Sequence, residues 1–122
     1  MKLRFRKNSL RFRVNRPEVE DLAAGHALEE RVYFPGDTSI RYVLEISGHS
    51  SPRASFENGT IRVAAPSDMV RQWAENDVIG IYFELAANGA QLDISIEKDL
   101  ECLERVAEER DPDAFRRASK NC

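Results

Sequence analysis

Leu10–Leu28, LRFRVNRPEVEDLAAGHAL, lies over Ile61–Ile79, IRVAAPSDMVRQWAENDVI, without a gap. Leu10 then meets Ile61, Arg11 meets Arg62, Val19 meets Val70, Leu22 meets Trp73, Ala23 meets Ala74 and Leu28 meets Ile79. Each copy reads as an alternating strand, a helix entered near a proline, and a second strand. A strand–helix–strand unit that occurs twice constrains architecture far more than composition does. In the first copy, Asn15 is placed to cap the free helix amides, Pro17 suits a first turn, and Glu18 stands where a capping-box acid belongs. Val19, Leu22 and Ala23 make the inward stripe and Gly25 ends the helix. In the second copy Pro66-Ser67-Asp68 opens the helix, and Val70, Trp73 and Ala74 turn inward.

Working outward, Leu3 and Phe5 alternate with Lys2, Arg4 and Arg6, while Leu10, Phe12 and Val14 alternate with Arg11 and Arg13. Period two on both sides of Lys7-Asn8-Ser9 predicts a hairpin of half-buried strands. Further strands are expected at Leu28–Phe34 and Ser39–Ser47 across Pro35-Gly36-Asp37, then at Ala54–Glu57 and Thr60–Ala65 across Asn58-Gly59. Val78–Leu85 and Gln91–Glu97 form the last pair across Asn88-Gly89. Asn-Gly supplies the positive dihedrals of a type I′ turn. The order is therefore ββαββ, twice. Every link between strands is short enough for a hairpin, which predicts an α+β fold of duplicated β-α-β units with eight antiparallel strands. Two helices of about ten residues span about 15 Å each and cannot cover a flat eight-stranded sheet. The sheet is expected to curve strongly or close into a barrel, with a homodimer as the other way to bury leftover apolar surface. Residues 1–103 make this single domain; 104–122 read as a charged, flexible tail with a helical turn or two around Leu103–Glu109.

Composition sets limits on function. The chain has 122 residues, 42% hydrophobic and 32% charged, as in ordinary globular domains. No apolar run reaches the roughly 20 residues of a membrane span, and arginines interrupt any leader-like stretch near the N-terminus, so a cytoplasmic location is expected. Cys102 and Cys122 show no ligand spacing and read as free thiols. The net charge is −3, but the first sixteen residues hold seven cations and no acid. Such a basic edge steers phosphate-bearing partners, although alternating cations on a half-buried strand also pair with acids on neighbouring strands. The overall acidity argues against nucleic-acid binding.

Candidate chemistry lies opposite the apolar positions. Arg4, Arg6, Arg11, Arg13, Arg41 and Arg62 are the candidate ligand-binding cations, since arginine holds anionic oxygens bidentately. Glu45, Glu84 and Glu97 are the candidate metal ligands, carboxylates that would hold a magnesium ion bridging phosphates. Asp93, Ser95 and Glu57 share this polar face. A concave polar face would make a channel; a convex one would be a solvated surface of ion pairs worth about 0–1 kcal/mol each. His26 and His49 stand in loops without a partner at ligand spacing, and the chain has neither a GxSxG nor a phosphate-cradling glycine loop. No catalytic constellation is legible.

The segments MKLRFRKNSLRFRVNRPEVEDL (1–22), ASFENGTIRVAAPSDMVRQWAE (54–75) and EKDLECL (97–103) resemble a family of small, functionally uncharacterised bacterial proteins, which implies no particular activity. At the level of architecture, a doubled strand–helix–strand plan over eight antiparallel strands is similar to the CYTH, or triphosphate-tunnel, superfamily. That resemblance implies a barrel whose polar lumen binds triphosphate with a divalent metal. The superfamily alternates two glutamates and a lysine on its first strand, where this chain has Lys2, Arg4 and Arg6. Three readings follow: a ligand-binding or interaction module, a tunnel protein binding or hydrolysing a phosphorylated small molecule with Mg2+, and a structural partner subunit.

Overall fold

The computed structural model describes residues 1–100 and 112–115. The expected helical turn at Leu103–Glu109, both cysteines, and the rest of the charged tail apart from Pro112–Phe115 lie outside the described residues. Along the chain run β1 (Lys2–Arg6), β2 (Ser9–Val14), α1 (Arg16–Ala23), β3 (Leu28–Phe34) and β4 (Thr38–Ser47). They are followed by β5 (Arg53–Glu57), β6 (Thr60–Pro66), α2 (Ser67–Glu75), β7 (Gly80–Ala87) and β8 (Ala90–Lys98). The order ββαββ thus occurs twice.

Local chemistry accounts for the element ends. The Asn15 side chain accepts from the Glu18 amide at 3.0 Å and the Glu18 carboxylate accepts from the Asn15 amide at 2.9 Å, a closed capping box. After α1, Gly25 takes a φ of +96°, which a side chain would resist. Asn58 and Gly59 have φ of 50° and 72°, and Asn88 and Gly89 46° and 76°, as type I′ hairpin turns require. By contrast α2 follows Pro66 with no side-chain cap.

The topology corrects the expectation of one strongly curved antiparallel sheet or barrel. The strands form two separate four-stranded sheets, ordered β1-β2-β8-β7 and β3-β4-β6-β5. Both are mixed: each hairpin is antiparallel, but β2 pairs parallel with β8 and β4 parallel with β6. Each sheet therefore takes one hairpin from each half of the chain. After β4 the loop 48–52 carries the chain past the place that β6 fills, so β5 becomes an edge strand and β6 returns between β4 and β5. Neither sheet closes on itself.

Curling is unnecessary because the sheets bury each other's apolar faces. Phe12 and Val14 of β2, Ile94 and Ile96 of β8 and Ile81 of β7 join Leu28, Leu44, Val63 and Ala65 of the second sheet in one cluster. Val19, Leu22, Val70 and Trp73 bring the inner stripes of both helices into it. These residues sit where β2, β4, β6 and β8 end and where β3 and β7 begin, so the helices cap that end of the sandwich. At the other end the same apolar faces run out to Phe5, Val32, Phe34, Ile40 and Phe56, all exposed. Trp73 is 2% exposed, and its indole Nε1 donates to the Ile79 carbonyl at 2.9 Å. It thus ties α2 to the loop before β7.

Along one seam the sheets approach at their edges. The Met1 amine is paired with Glu18 and lies 3.6 Å from Glu30 of β3. Glu30 is register partner to Tyr42. Burial lifts the Tyr42 phenol above its ordinary pKa, and the Glu30 and Glu18 carboxylates add to the shift.

Two outcomes follow. Trp73→Ala removes the indole and orphans the Ile79 carbonyl, and should lower unfolding free energy by about 3–5 kcal/mol in urea titrations read by far-UV circular dichroism. For Tyr42, the folded state holds the phenolic proton more tightly than the unfolded chain. Its contribution is therefore intact below about pH 10 and lost as pH rises through the folded pKa. Tyr42→Phe should flatten the fall of the urea midpoint in alkali; an unchanged slope counts against it.

Candidate functional site

With the apolar faces turned toward each other, the polar faces are the outer, solvent-facing surfaces of the sandwich. The lumen that a CYTH-like barrel requires is instead an apolar core.

On the first sheet, register sets the polar side chains in rows. Arg4 is opposite Arg11, which is opposite Ser95, which is opposite Tyr82. Lys2, Arg13, Glu97 and Gly80 make the next row, and Arg6, Ser9, Asp93 and Glu84 the last. Cations thus occupy β1 and β2, while acids and hydroxyls occupy β8 and β7. Opposing like charges directly across an antiparallel pair destabilises it, yet Arg4 faces Arg11 and Lys2 faces Arg13.

Glu97 joins the two sides. It is 4% exposed, an unusual state for a carboxylate, which almost never buries unpaired. Its Oε1 lies 3.3 Å from Arg11 Nε and 3.6 Å from Arg13 Nε, in ion-pair rather than hydrogen-bond geometry. The Tyr82 hydroxyl donates to Oε2 at 2.7 Å. Tyr82 reaches it diagonally across the sheet because Gly80 leaves the surface bare. A Cβ on Gly80 would stand 2.7 Å from the Tyr82 hydroxyl and 2.9 Å from both its ring carbon Cζ and Glu97 Cγ. A shallow depression of about 450 Å³ bordered by Tyr82, Glu84, Asp93 and Ser95 adjoins this cluster. Lys2 reaches Asp99 at 2.7 Å. Arg4 and Arg6 are exposed, and neither guanidinium has a carboxylate partner among the described residues.

On the second sheet's outer face Arg31, Arg41 and Arg62 have partners, while exposed Arg53 has no ion pair among the described residues. Arg62 pairs with Glu45, and Arg41 Nε lies 3.2 Å from Glu29. Arg31 bonds the Ser39 hydroxyl at 3.1 Å. Val43, 3% exposed, sits on this charged face between Glu29 and Arg62 in register.

The structure therefore gathers Arg4, Arg6, Arg11, Arg13 and Glu97 on one face, and places Arg41, Arg62 and Glu45 on the other sheet. Glu84 lies on β7, opposite Asp93 rather than Glu97. Glu45, Glu84 and Glu97 do not converge, and no group of three potential metal ligands occurs among the described residues. His26 and His49 are exposed in the segments after α1 and β4. Sequence reasoning missed Gly80 and Tyr82. Their trace was a glycine two residues before an aromatic at the start of a strand, where a bare backbone admits a neighbouring ring.

Two mixed sheets packed through their apolar faces and capped at one end by two helices define an α+β sandwich, not an enclosing barrel. The chain belongs to DUF7009, a family of unknown function, whose model matches residues 1–119. No curated protein and no solved structure matches it.

Gly80→Ala should displace the Tyr82 phenol from Glu97 and cost about 1–3 kcal/mol. Much of that loss should disappear in a Tyr82→Ser background, because the crowding atom is gone. Equal losses in both backgrounds, measured by urea unfolding, would contradict this account of Gly80.

Proposed function

We propose that this chain is a binding module whose cationic face, the outer surface of β1 and β2, takes an anionic ligand. The observation that carries this reading is Arg4 and Arg6: both are exposed and without an acidic partner among the described residues, and Arg4 stands directly opposite Arg11, where like charge disfavours the fold. On the outer faces Arg11, Arg41 and Arg62 meet carboxylates, whereas Arg53 of β5 is exposed and has no ion pair among the described residues. An outer, solvent-facing surface suits contact with an anionic group displayed by a larger partner, which it would grip with bidentate guanidinium contacts.

The architecture also supports descent of the two halves from one ββαββ unit. Lys2–Arg6 and Arg53–Glu57 match in length, and Phe5 and Phe56 stand at the same place in their strands with 60% and 69% exposure. No helix among the described residues is long and apolar enough to cross a membrane, which is compatible with the cytoplasmic residence proposed for it.

Fluorescence anisotropy with a labelled polyglutamate peptide, and in parallel calorimetry with inorganic triphosphate, tests the reading and separates carboxylate from phosphate recognition. Binding should weaken steeply with salt and fall at least ~tenfold in Arg4→Ser/Arg6→Ser. Arg31→Ser/Arg53→Ser on the second sheet should leave it unchanged. No binding of either probe at low salt, or equal loss in both variants, would overturn the assignment.

A further inference from the structure

Four strands form sheet edges, and three of them are guarded. β1 carries Lys2, Arg4 and Arg6 at alternate positions, as edge strands do to discourage pairing. β5 and β7 border one another, for Ala54, Ser55, Leu85 and Ala86 line the same depression, and the first half of β3 is met by the Met1 amine, 3.6 Å from Glu30. Beyond that contact β3 differs. Its seven residues, LEERVYF, hold all their charge at Glu29, Glu30 and Arg31, and the second half is three consecutive exposed apolar residues. Val32, Tyr33 and Phe34 are 48%, 79% and 49% exposed. Such a run on a free edge is a template for strand addition.

We propose that β3 joins two copies of this chain, pairing antiparallel with its own twin about a two-fold axis through Val32. The choice of a second copy rests on self-complementarity of charge and register. A two-fold axis perpendicular to the sheet keeps the core-facing residues of both copies on one side only if residues of the same parity face each other. Centring the pair on Glu30 opposes two glutamates, sets Glu29 against Arg31 on either side, and leaves the exposed Tyr33 and Phe34 unpaired, while centring it on Arg31 opposes two arginines. Centring it on Tyr33 leaves only the last three residues paired. With Val32 on the axis, the strands overlap from Glu30 to Phe34 and no like charges meet. Each Arg31 then faces Tyr33 of the second copy. The two groups are suited to each other, since within one chain the Arg31 guanidinium already lies 5.9 Å from the Tyr33 ring centre. Each Glu30 faces Phe34. The second sheets of the two copies would join into one continuous sheet, and Val32, whose register partner on the core-facing side is Ile40, would gain an apolar neighbour across the axis. This joint is independent of the cationic face.

Light scattering coupled to size exclusion, with sedimentation equilibrium across the micromolar range, reads the oligomeric state. The wild-type chain should have twice the monomer mass, and Val32→Lys, which sets two ammonium groups against each other at the axis, should halve it while leaving the far-UV spectrum intact. A second measurement covers the case in which that variant fails to fold. Residues opposed across an antiparallel axis have Cα atoms about 4.5–5.5 Å apart, within disulfide range. With Cys102 and Cys122 replaced by serine, Val32→Cys should therefore crosslink to its twin under mild oxidation, whereas Phe56→Cys on β5 should not. A wild-type monomer, a dimer that persists in Val32→Lys, or crosslinking as efficient at position 56 as at 32 would each overturn the proposal. A monomer that instead captures an extended peptide along β3 would also overturn it, assigning the edge to a different occupant.

Discussion

The parallel pairing of β2 with β8, and of β4 with β6, is the constraint on which the other features depend. Each of the four hairpins can form from its own residues, but a two-stranded hairpin is marginal in water. What makes them a protein is the joining of β1–β2 to β7–β8 and of β3–β4 to β5–β6 through central strands that are distant or crossed in the chain. Those joints put Phe12 beside Ile96 and Leu44 beside Val63, and so lay down two broad apolar faces. The faces then need each other and the helices. The two joints share one register: Ser9 pairs with Asp93 and Thr60 with Arg41, and Arg41 and Asp93 are counterparts when the closing pairs Phe34–Thr38 and Ala87–Ala90 are superposed.

Because the interior is filled, polar chemistry is confined to the outer surfaces of the two sheets. On such a surface most ion pairs contribute little, which makes the interior position of Glu97 informative. Its carboxylate is removed from water and held by Arg11, Arg13 and Tyr82 in a site that exists only because Gly80 has no side chain. That cluster locks β2, β7 and β8 together on the outer face as Trp73 and its neighbours do on the inner one. Arg4 and Arg6 lie just beyond the lock, on an edge strand whose backbone is fixed by β2.

Much of the fold was legible in the chain. The turns at Asn58-Gly59 and Asn88-Gly89, the capping box at Asn15 and Glu18, and the alternation of Leu3, Phe5, Leu10 and Phe12 each encode local geometry, and local geometry is what residue types report. The partner of β4 is not encoded that way: alternation in Ile40, Tyr42, Leu44 and Ile46 says that one face is buried, not whether β5 or β6 lies alongside. Hence the expectation of consecutive antiparallel pairing failed while nearly every element boundary held to within two residues. The curved sheet failed for a related reason, because covering the apolar face was assigned to helices alone when a second sheet was available. At the candidate site, the cations of β1 and β2 could be placed on one face from period two, but their separation from Arg41 and Arg62 required knowing that the strands divide between two sheets. Val43 shows the limit of the polar pattern, being an apolar residue buried on a charged face.

The division of hairpins between the sheets also orders events during synthesis. All four strands of the second sheet exist once Pro66 has been made, so that layer can assemble while the chain is still growing. The first sheet cannot: β1 and β2 are made before the other described strands, yet their central neighbour β8 is the last of these to appear. Throughout that interval Leu3, Phe5, Leu10 and Phe12 lack the strand that completes their own sheet, and an apolar hairpin in this state is open to aggregation. The cations alternating with those residues then have a second use: a nascent hairpin bearing Arg4, Arg6, Arg11 and Arg13 repels its own kind until the final strand arrives.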